Sequence, residues 1–379
     1  MSLPKKTSLI FGRQLDRISE LGRFTFVRRY GKTVVLLALL AIAIAFPLVF
    51  SNSFVTGLAL FALMFAAAAT GWNIFSGYTG YIALGHATYF GLGAYALAIM
   101  CQDWKIQGDY TPFLLVPAAG LIAAIIAIPL GWISLRVRRH AFIVITIAVF
   151  FIFQLLAYNL TQFTNGTIGL NLPIPIDWTG DFYNIPFYYV ALVMLLVAIA
   201  ISWWVRNSKY GLGLLAIRDD EDRALGLGVK TGLSKLAAFV ISAFIVGMVG
   251  AIWAYYVFVI YPNTAFDATF DVAIALMAFL GGLGTISGPI LGALFLETIQ
   301  LYFTSQSGPN SYYLIINGAL FLVVILLLPR GVIPTLSERW AKYQVIRQQK
   351  QQEHDAILTA LPTSDGVAES VERKEGINL

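Results

Sequence analysis

The sequence predicts an all-α polytopic membrane protein of about ten transmembrane helices, some of them broken by glycine. Three observations carry that prediction. Only 12% of the 379 residues are charged, where a soluble domain carries about 25%. No Asp, Glu, Lys or Arg occurs in 33–102, 110–135, 141–176, 182–205, 236–266, 272–296 or 298–329, and a spanning helix needs roughly 20 apolar residues. The basic residues alternate from link to link as a threaded membrane chain requires.

The elements follow in order. Residues 1–32 form a basic N-terminal segment with eight Lys and Arg. Spans are expected near 33–50, 54–75, 82–101, 112–135, 141–160, 186–205, 236–260, 269–283, 288–304 and 311–329. The first apolar run begins only at Thr33, late for a cleaved leader, so 33–50 reads as a retained span. With this threading 24 of the 25 Lys and Arg fall in 1–32, 136–139, 206–235 and the tail, and Lys105 alone lies on the other side. Both termini are therefore expected in the cytoplasm. The net charge of +5 is a topology signal beside anionic headgroups, not a nucleic-acid surface. The organisation is a 1–32 segment, a 33–334 membrane domain with a long cytoplasmic link at 206–235, and a polar 335–379 tail that is partly disordered.

Two glycine-rich interruptions lie within apolar sequence: "SGYTGYIALGH" at 76–86 and "FLGGLGTISGPILG" at 279–292. A membrane tolerates irregular backbone only where protein or a water-filled cavity covers it. Residues 269–283 would reach only about 22 Å as helix, short of a ~30 Å core, so a broken or re-entrant helix is expected there. Broken helices build transport sites, while small residues also serve close helix packing; both roles are open. The translocation-pathway candidates are Gly77, Tyr78, Thr79, Gly80, His86, Gly281, Gly282, Gly284, Thr285, Ser287 and Glu297. Intramembrane ionisable residues are functional candidates by default, which singles out His86, Asp271 and Glu297. His86 either lines a pathway or bonds a carbonyl freed by the break. Glu297 faces either a subunit interface or a polar cavity.

The link "KYGLGLLAIRDDEDRALGLGVKTGLSKLAAF", 209–239, joins the acidic run Asp219, Asp220, Glu221 and Asp222 to Leu225, Leu227 and Val229. A solvated helix linker is one reading, with acids near a helix N-terminus. Exposed Leu and Val in a cytoplasmic helix point instead to a protein partner. One cysteine, Cys101, excludes an intrachain disulfide, and His86, His140 and His354 have no metal-ligand spacing. "GKT" at 31–33 lacks the upstream glycine of a phosphate loop. The chain therefore shows no motif for using ATP by itself.

With these motifs in hand, the chain resembles the permease subunits of ABC importers for branched-chain and other neutral amino acids, in particular the M-type partner of the two-permease Liv system. The resemblance runs from about 33 to 334. It rests on "GYTGYIALGHATYFGLGAY", "LRVRRHAFIVITIAVFFIFQLL", "TNGTIGL", "GLGLLAIRDDEDRALGLGV", "AFLGGLGTISGPILGALFLE" and "LLLPRGVIP" in that order. It implies that 209–230 is the coupling loop related to the E-A-A-x-x-x-G pattern, with Arg218, Asp219, Asp220, Glu221, Asp222, Ala224 and Gly228 meeting an ATPase. With the glycine aligned on Gly228, Asp222 and Arg223 depart from the first two motif positions and Ala224 keeps the third. Arg139 stands where the family usually has glycine.

The resemblance further implies a second homologous permease, two ABC ATPase subunits, a periplasmic binding protein and a bacterial inner-membrane location. ATP and Mg would be used by the ATPases, with no cofactor bound by this chain and no enzyme activity of its own. The substrate would be a branched-chain or other neutral amino acid. Urea or a short amide is the alternative cargo, mildly disfavoured because Ala87 rather than glycine follows His86. A self-contained secondary transporter would leave the acidic, apolar link without a purpose. A membrane-embedded enzyme would need a cluster of reactive groups at one depth, and Asp271 and Glu297 fall on different helical segments.

Overall fold

The computed structural model describes residues 34–50, 52–175, 178, 180–306, 318, 319 and 347. Every expected span from the first to the ninth contains a helix. The expected tenth span at 311–329, the 1–32 segment and the 335–379 tail lie outside the described residues, apart from 318, 319 and 347.

Helix α1, Val34–Val49, is apolar throughout and leans on Tyr188 and Tyr189, whose hydroxyls donate to Ala43 O and Ile44 O. Helix α2, Ser53–Trp72, starts where the Asn52 side chain accepts from Phe54 N. Its run Ala66–Ala69 is wholly buried. It passes into a π-turn at Asn73–Gly77, a widening often found at functional positions. Helix α3 is Ala87–Asp103. Helix α4, Thr111–Ser134, keeps Pro117 and Pro129 inside it, which bundle packing allows. Helix α5 is Arg139–Asn159 and α6 the single turn Thr161–Thr164. Helix α7, Asn184–Asn207, leads into two short helices, α8 at Lys209–Asp219 and α9 at Glu221–Gly226. Helix α10, Thr231–Val257, is the longest of those described. The turn α11, Pro262–Ala265, precedes α12, Ala268–Gly281, and α13, Gly288–Gln306.

Among the described residues six stretches are long and apolar enough to cross a membrane: Ser53–Gly77, Thr111–Ser134, Arg139–Asn159, Asn184–Asn207, Thr231–Val257 and Pro262–Gly281. The chain is thus an all-α polytopic membrane protein. The helix of the expected 82–101 span begins only at Ala87. The 206–235 link is also shorter than read, since α7 runs to Asn207 and α10 starts at Thr231. The 269–283 span is extended by α11 to 20 residues and is broken at Phe266 and Asp267, where the Asp267 carboxylate caps α12 by accepting from Thr269 N.

Helix α10 is the axis of the bundle. Two thirds (67%) of its apolar stretch is buried, against 22% of that of α5, so α5 presents most of its surface outward. Helices α2, α3 and α4 pack along α10. Helix association in lipid rests on van der Waals fit and small residues rather than on expelling water. The fit is closest at Gly93, where an added Cβ would come within 1.9 Å of Gly247 O, and at Gly250, where it would lie 2.0 Å from Phe90 O. Helices α12 and α13 meet by the same device, and a Cβ on Gly281 would sit 1.7 Å from Gly288 O.

The two ends of the bundle are distinct. One gathers 77–81, 136–139, 206–235 and 282–287, through bonds described below. The other gathers 52–53, 102–110, 165–175, 180–184 and 255–267. There β1, Leu170–Asn171, pairs antiparallel with β2, Val259–Ile260. Tyr255 Oη donates to Asp109 O, Asn184 donates to Ser53 O, and Gln154 donates to Phe266 O. This is the alternation expected from the basic residues.

Candidate functional site

The site is built at the basic end, where the two glycine breaks meet. Asn73, in the π-turn, clamps the second break from both sides. Its Oδ1 accepts from Gly284 N at 2.8 Å and its Nδ2 donates to Thr285 O at 2.9 Å. Positive φ at Gly80 (72°), Gly282 (120°) and Gly284 (75°) turns the chain where L side chains are strained. Thr79 and Thr285 close the turns locally, donating to Phe75 O and Gly282 O at 2.7 Å each. Tyr78 Oη and Ser202 Oγ are 2.8 Å apart, which ties the first break to α7.

Between Gly80 and Ala87 the backbone descends into the bundle without helix. Tyr81 touches Lys235 and His86 touches Ser242, seven residues further along α10. That is about 10 Å of depth at 1.5 Å per residue. Such a segment must find partners for its amides inside the protein, and it does. Tyr81 N donates to Thr79 Oγ1, Ala83 N to Ser76 Oγ and Leu84 N to Thr146 Oγ1, while Ala83 O accepts from Trp72 Nε1 at 2.8 Å. At the bottom Ala87 N donates to Asp271 Oδ1 at 3.1 Å. A carboxylate at the N-terminus of α3 suits the helix dipole. It also explains the late start of α3, whose cap comes from 184 residues away.

Two arginines join the link to the breaks. Arg218, in the last turn of α8, donates to Gly77 O at 2.9 Å. Its stem lies over Gly80, where an added Cβ would come 3.1 Å from Arg218 Cγ. At Gly284 a Cβ would meet Arg218 Nη1 at 2.3 Å. Arg206, at the end of α7, donates to Gly284 O. Arg139 Nη2 donates to Ile217 O and Arg218 O at 2.9 and 2.8 Å, a cation at the orphan carbonyls of α8.

Helix α9 is held separately. The Asp220 side chain caps it, accepting from Asp222 N and Arg223 N at 3.1 Å each. Glu221 accepts from Tyr81 Oη and pairs with Lys235 on α10, and the Lys235 ammonium lies 4.4 Å from the Tyr81 ring centre. Partial burial pushes the Glu221 carboxyl upward, but the bonds from Lys235 and Tyr81 outweigh it and hold it below the usual carboxylate range. Ala224 is buried beneath α9. Asp219, Asp222, Leu225, Leu227 and Gly228 face outward, and Leu227 is 84% exposed. A groove of about 460 Å³ runs between α9 and the turn bearing Arg136, Arg138 and His140.

The sequence-named residues therefore fall into three places. Gly77, Tyr78, Thr79, Gly80, Gly281, Gly282, Gly284 and Thr285 gather with Arg218 at the basic end, and Ser287 is exposed beside them. His86 stands apart and wholly buried, its Nε2 2.7 Å from Ser242 Oγ and its ring among Phe75, Tyr89 and Phe239. Its ring nitrogen meets the Ser242 hydroxyl on α10 rather than a carbonyl freed by the break. Glu297 lies on α13, in the wall of a cavity of about 680 Å³. Sequence reasoning missed Asn73, Arg206 and Lys235 as site residues. Asn73 was a detectable signal, a lone amide in an apolar run, whereas the two cations were read only as topology charges. Among the described residues no group of three or more His, Cys, Asp or Glu is arranged to hold a metal.

Comparison with known proteins adds the family. Residues 53–325 match the model of the branched-chain amino acid transport system permease component. The permease protein LivM of the high-affinity branched-chain amino acid transport systems of Salmonella typhimurium and Escherichia coli is 26% identical over 326 residues, covering 79% of this chain and 74% of the relative. The high-affinity branched-chain amino acid transport system permease protein LivH of Salmonella typhimurium is 26% identical over 282 residues, covering 71% of this chain and 91% of that protein. The autoinducer 2 import system permease LsrC of Salmonella paratyphi B is 27% identical over 182 residues, 43% of this chain and 52% of its own. No solved structure matches.

Proposed function

The chain belongs to the family of branched-chain amino acid transport system permease components, and on that premise we propose that it is the membrane-spanning permease subunit of an ATP-driven importer of branched-chain or other neutral amino acids. The observation that carries this reading is Arg218. One guanidinium spans the acidic, apolar link and the carbonyl of Gly77, beside Gly80 and Gly284. A pull on the link is thereby delivered to both breaks, as a coupling loop requires.

The remaining parts of the assembly follow. A second homologous permease completes the pathway, and LivM and LivH supply the pattern of two permeases named for one system. Two ABC ATPases, which use ATP and Mg, dock on α8 and α9 at Asp219, Asp222, Leu225, Leu227 and Gly228. A periplasmic binding protein delivers substrate to the opposite end. The basic end is then cytoplasmic and carries both termini, in a bacterial inner membrane. Helices α1, α3 and α13, with the 311–329 segment, bring the six long spans to about ten.

Transport is alternating access. ATP binding changes the relative affinity of the assembly for its inward and outward states, and the breaks are where the chain bends between them. The test is uptake of labelled leucine, alanine, proline, glutamine and urea by cells with and without the gene, before and after ATP depletion. ATP-dependent loss of leucine or alanine uptake on deletion is the expected result. Loss of urea uptake alone would move the chain to an amide cargo. Gene-dependent uptake that persists without ATP would overturn the reading in favour of a secondary transporter.

A further inference from the structure

The cavity at Glu297 has two features that define a ligand. Its walls are largely apolar and aromatic, with Phe90 tilted between Phe270 and Trp253 at centroid distances of 4.3 and 5.2 Å and Phe65 5.5 Å from Phe270, and Thr264, Thr269 and Gln300 are its uncharged polar residues. Its volume of about 680 Å³ falls in the ~300–1,000 Å³ range of small-molecule sites. The second feature is Glu297 itself. It is 2% exposed, and its Oε2 has no hydrogen-bond partner among the described residues. A buried carboxylate oxygen without a partner costs free energy, and an ionisable group kept at membrane depth marks a substrate path by default.

The other acid in this wall is already engaged, since Asp267 accepts from Thr269 N and Oγ1 at 2.8 and 2.6 Å. One free carboxylate among aromatic faces suits an organic ammonium, drawn both by charge and by the ring quadrupoles. It does not suit a bare metal ion, which needs several oxygen ligands. We infer that this cavity is the transient substrate site of the permease, in which Glu297 binds the α-ammonium of an amino acid and the aromatic wall takes its apolar side chain. The inference rests on the permease reading above and names the residue that selects within it. Glu297 turns a greasy cleft into one that rejects uncharged amides and fatty acids.

The test uses the whole assembly, reconstituted in vesicles with its binding protein. E297Q keeps the side-chain shape and removes the charge. V272W narrows the cavity from a half-exposed wall position on α12. Leucine uptake is expected to fall at least about tenfold in E297Q, as when one partner of a buried charge pair is lost. In V272W leucine uptake falls more than alanine uptake. In thermal unfolding of the assembly without binding protein, leucine and isopentylamine raise the Tm, isocaproate does not, and E297Q responds to none of them. A leucine shift retained in E297Q, an equal shift with isocaproate, or no leucine shift in the wild type overturns the inference. Should E297Q fail to assemble, V272W carries the test, and unchanged leucine uptake there overturns it. Uptake that needs this chain but survives both substitutions refutes the site and leaves the permease reading standing. Leucine uptake indifferent to the whole chain refutes the reading itself.

Discussion

Asp271 and Glu297 are both acids, both buried and both at membrane depth, yet they do opposite work. Asp271 is 3% exposed and spends Oδ1 on Ala87 N at the start of α3, while its Oδ2 has no partner among the described residues. Glu297 is 2% exposed and keeps an unpartnered oxygen at a cavity wall. The same contrast separates the regions around them. At the basic end Arg139, Arg206, Arg218, Glu221 and Lys235 all bond to backbone or to one another, so charge there fixes geometry. Around Glu297 the charge is held in reserve. A buried acid that bonds the backbone holds the fold, and one set in a cavity wall is a site for something that arrives.

The largest expected effect comes from breaking the paired region where the second break meets Arg218. Gly284→Val combines a positive φ with a Cβ driven into Arg218. A cost of about 3 kcal/mol is expected from the strain and the displaced guanidinium bond, read as a lower Tm in detergent and as uptake near background. Asp271→Leu strands Ala87 N inside the bundle, for about 2 kcal/mol, whereas Asp271→Asn, whose carbonyl still accepts, loses much less. Glu297→Gln sharpens the contrast, because removing an unpaired charge leaves Tm unchanged or raises it while transport falls. A drop in Tm like that of Asp271→Leu would mean that Glu297 is structural too.

Lys235→Met leaves Glu221 without its cation. With the Glu221 side chain 27% exposed, the loss is expected at about 1.5 kcal/mol, below that of a fully buried pair. Lys235→Met with Glu221→Gln should recover most of it in a double-mutant cycle. The pH dependence follows from the same carboxyl. Its folded-state value is depressed, so its contribution is fully present above the unfolded value of about 4.3 and disappears as pH falls through the folded one. Wild-type Tm should lose its margin over Glu221→Gln only in that acid window. A constant margin at all pH values would deny that Glu221 is held ionised. Arg223→Ala, which removes an exposed pair to Asp220, should change stability by less than about 0.5 kcal/mol.

Much of this was legible in the sequence, and the reasons are specific. Charge-free runs located the helices because lipid admits almost no ionised groups. Alternation of Lys and Arg sorted the loops onto two ends. Glycines in 76–86 and 279–292 marked both breaks, because a turn with positive φ leaves few other residues to choose. The start of α3 was not legible, since no residue beside Ala87 caps it and the cap, Asp271, comes from another helix. Arg206 and Arg218 were counted as charges in a loop, but nothing in the chain order says that Gly284 O and Gly77 O lie within their reach. Glu297 was visible as an anomaly, but its cavity belongs to the packing of α2, α3, α10, α12 and α13.

The backbone seam where α10 crosses α3 has a mechanical consequence. Gly93, Gly247 and Gly250 bring two main chains into direct contact near the middle of α10, and such a contact resists sliding more than swivelling. Lys235 lies 12 residues before Gly247, and Val257, where α10 ends, lies 7 residues after Gly250. At 1.5 Å per residue these are arms of about 18 and 10 Å about one fulcrum. A sideways push of about 1 Å at the Lys235 end then emerges as roughly half that displacement, reversed in direction, where α10 hands over to β2 on the far side.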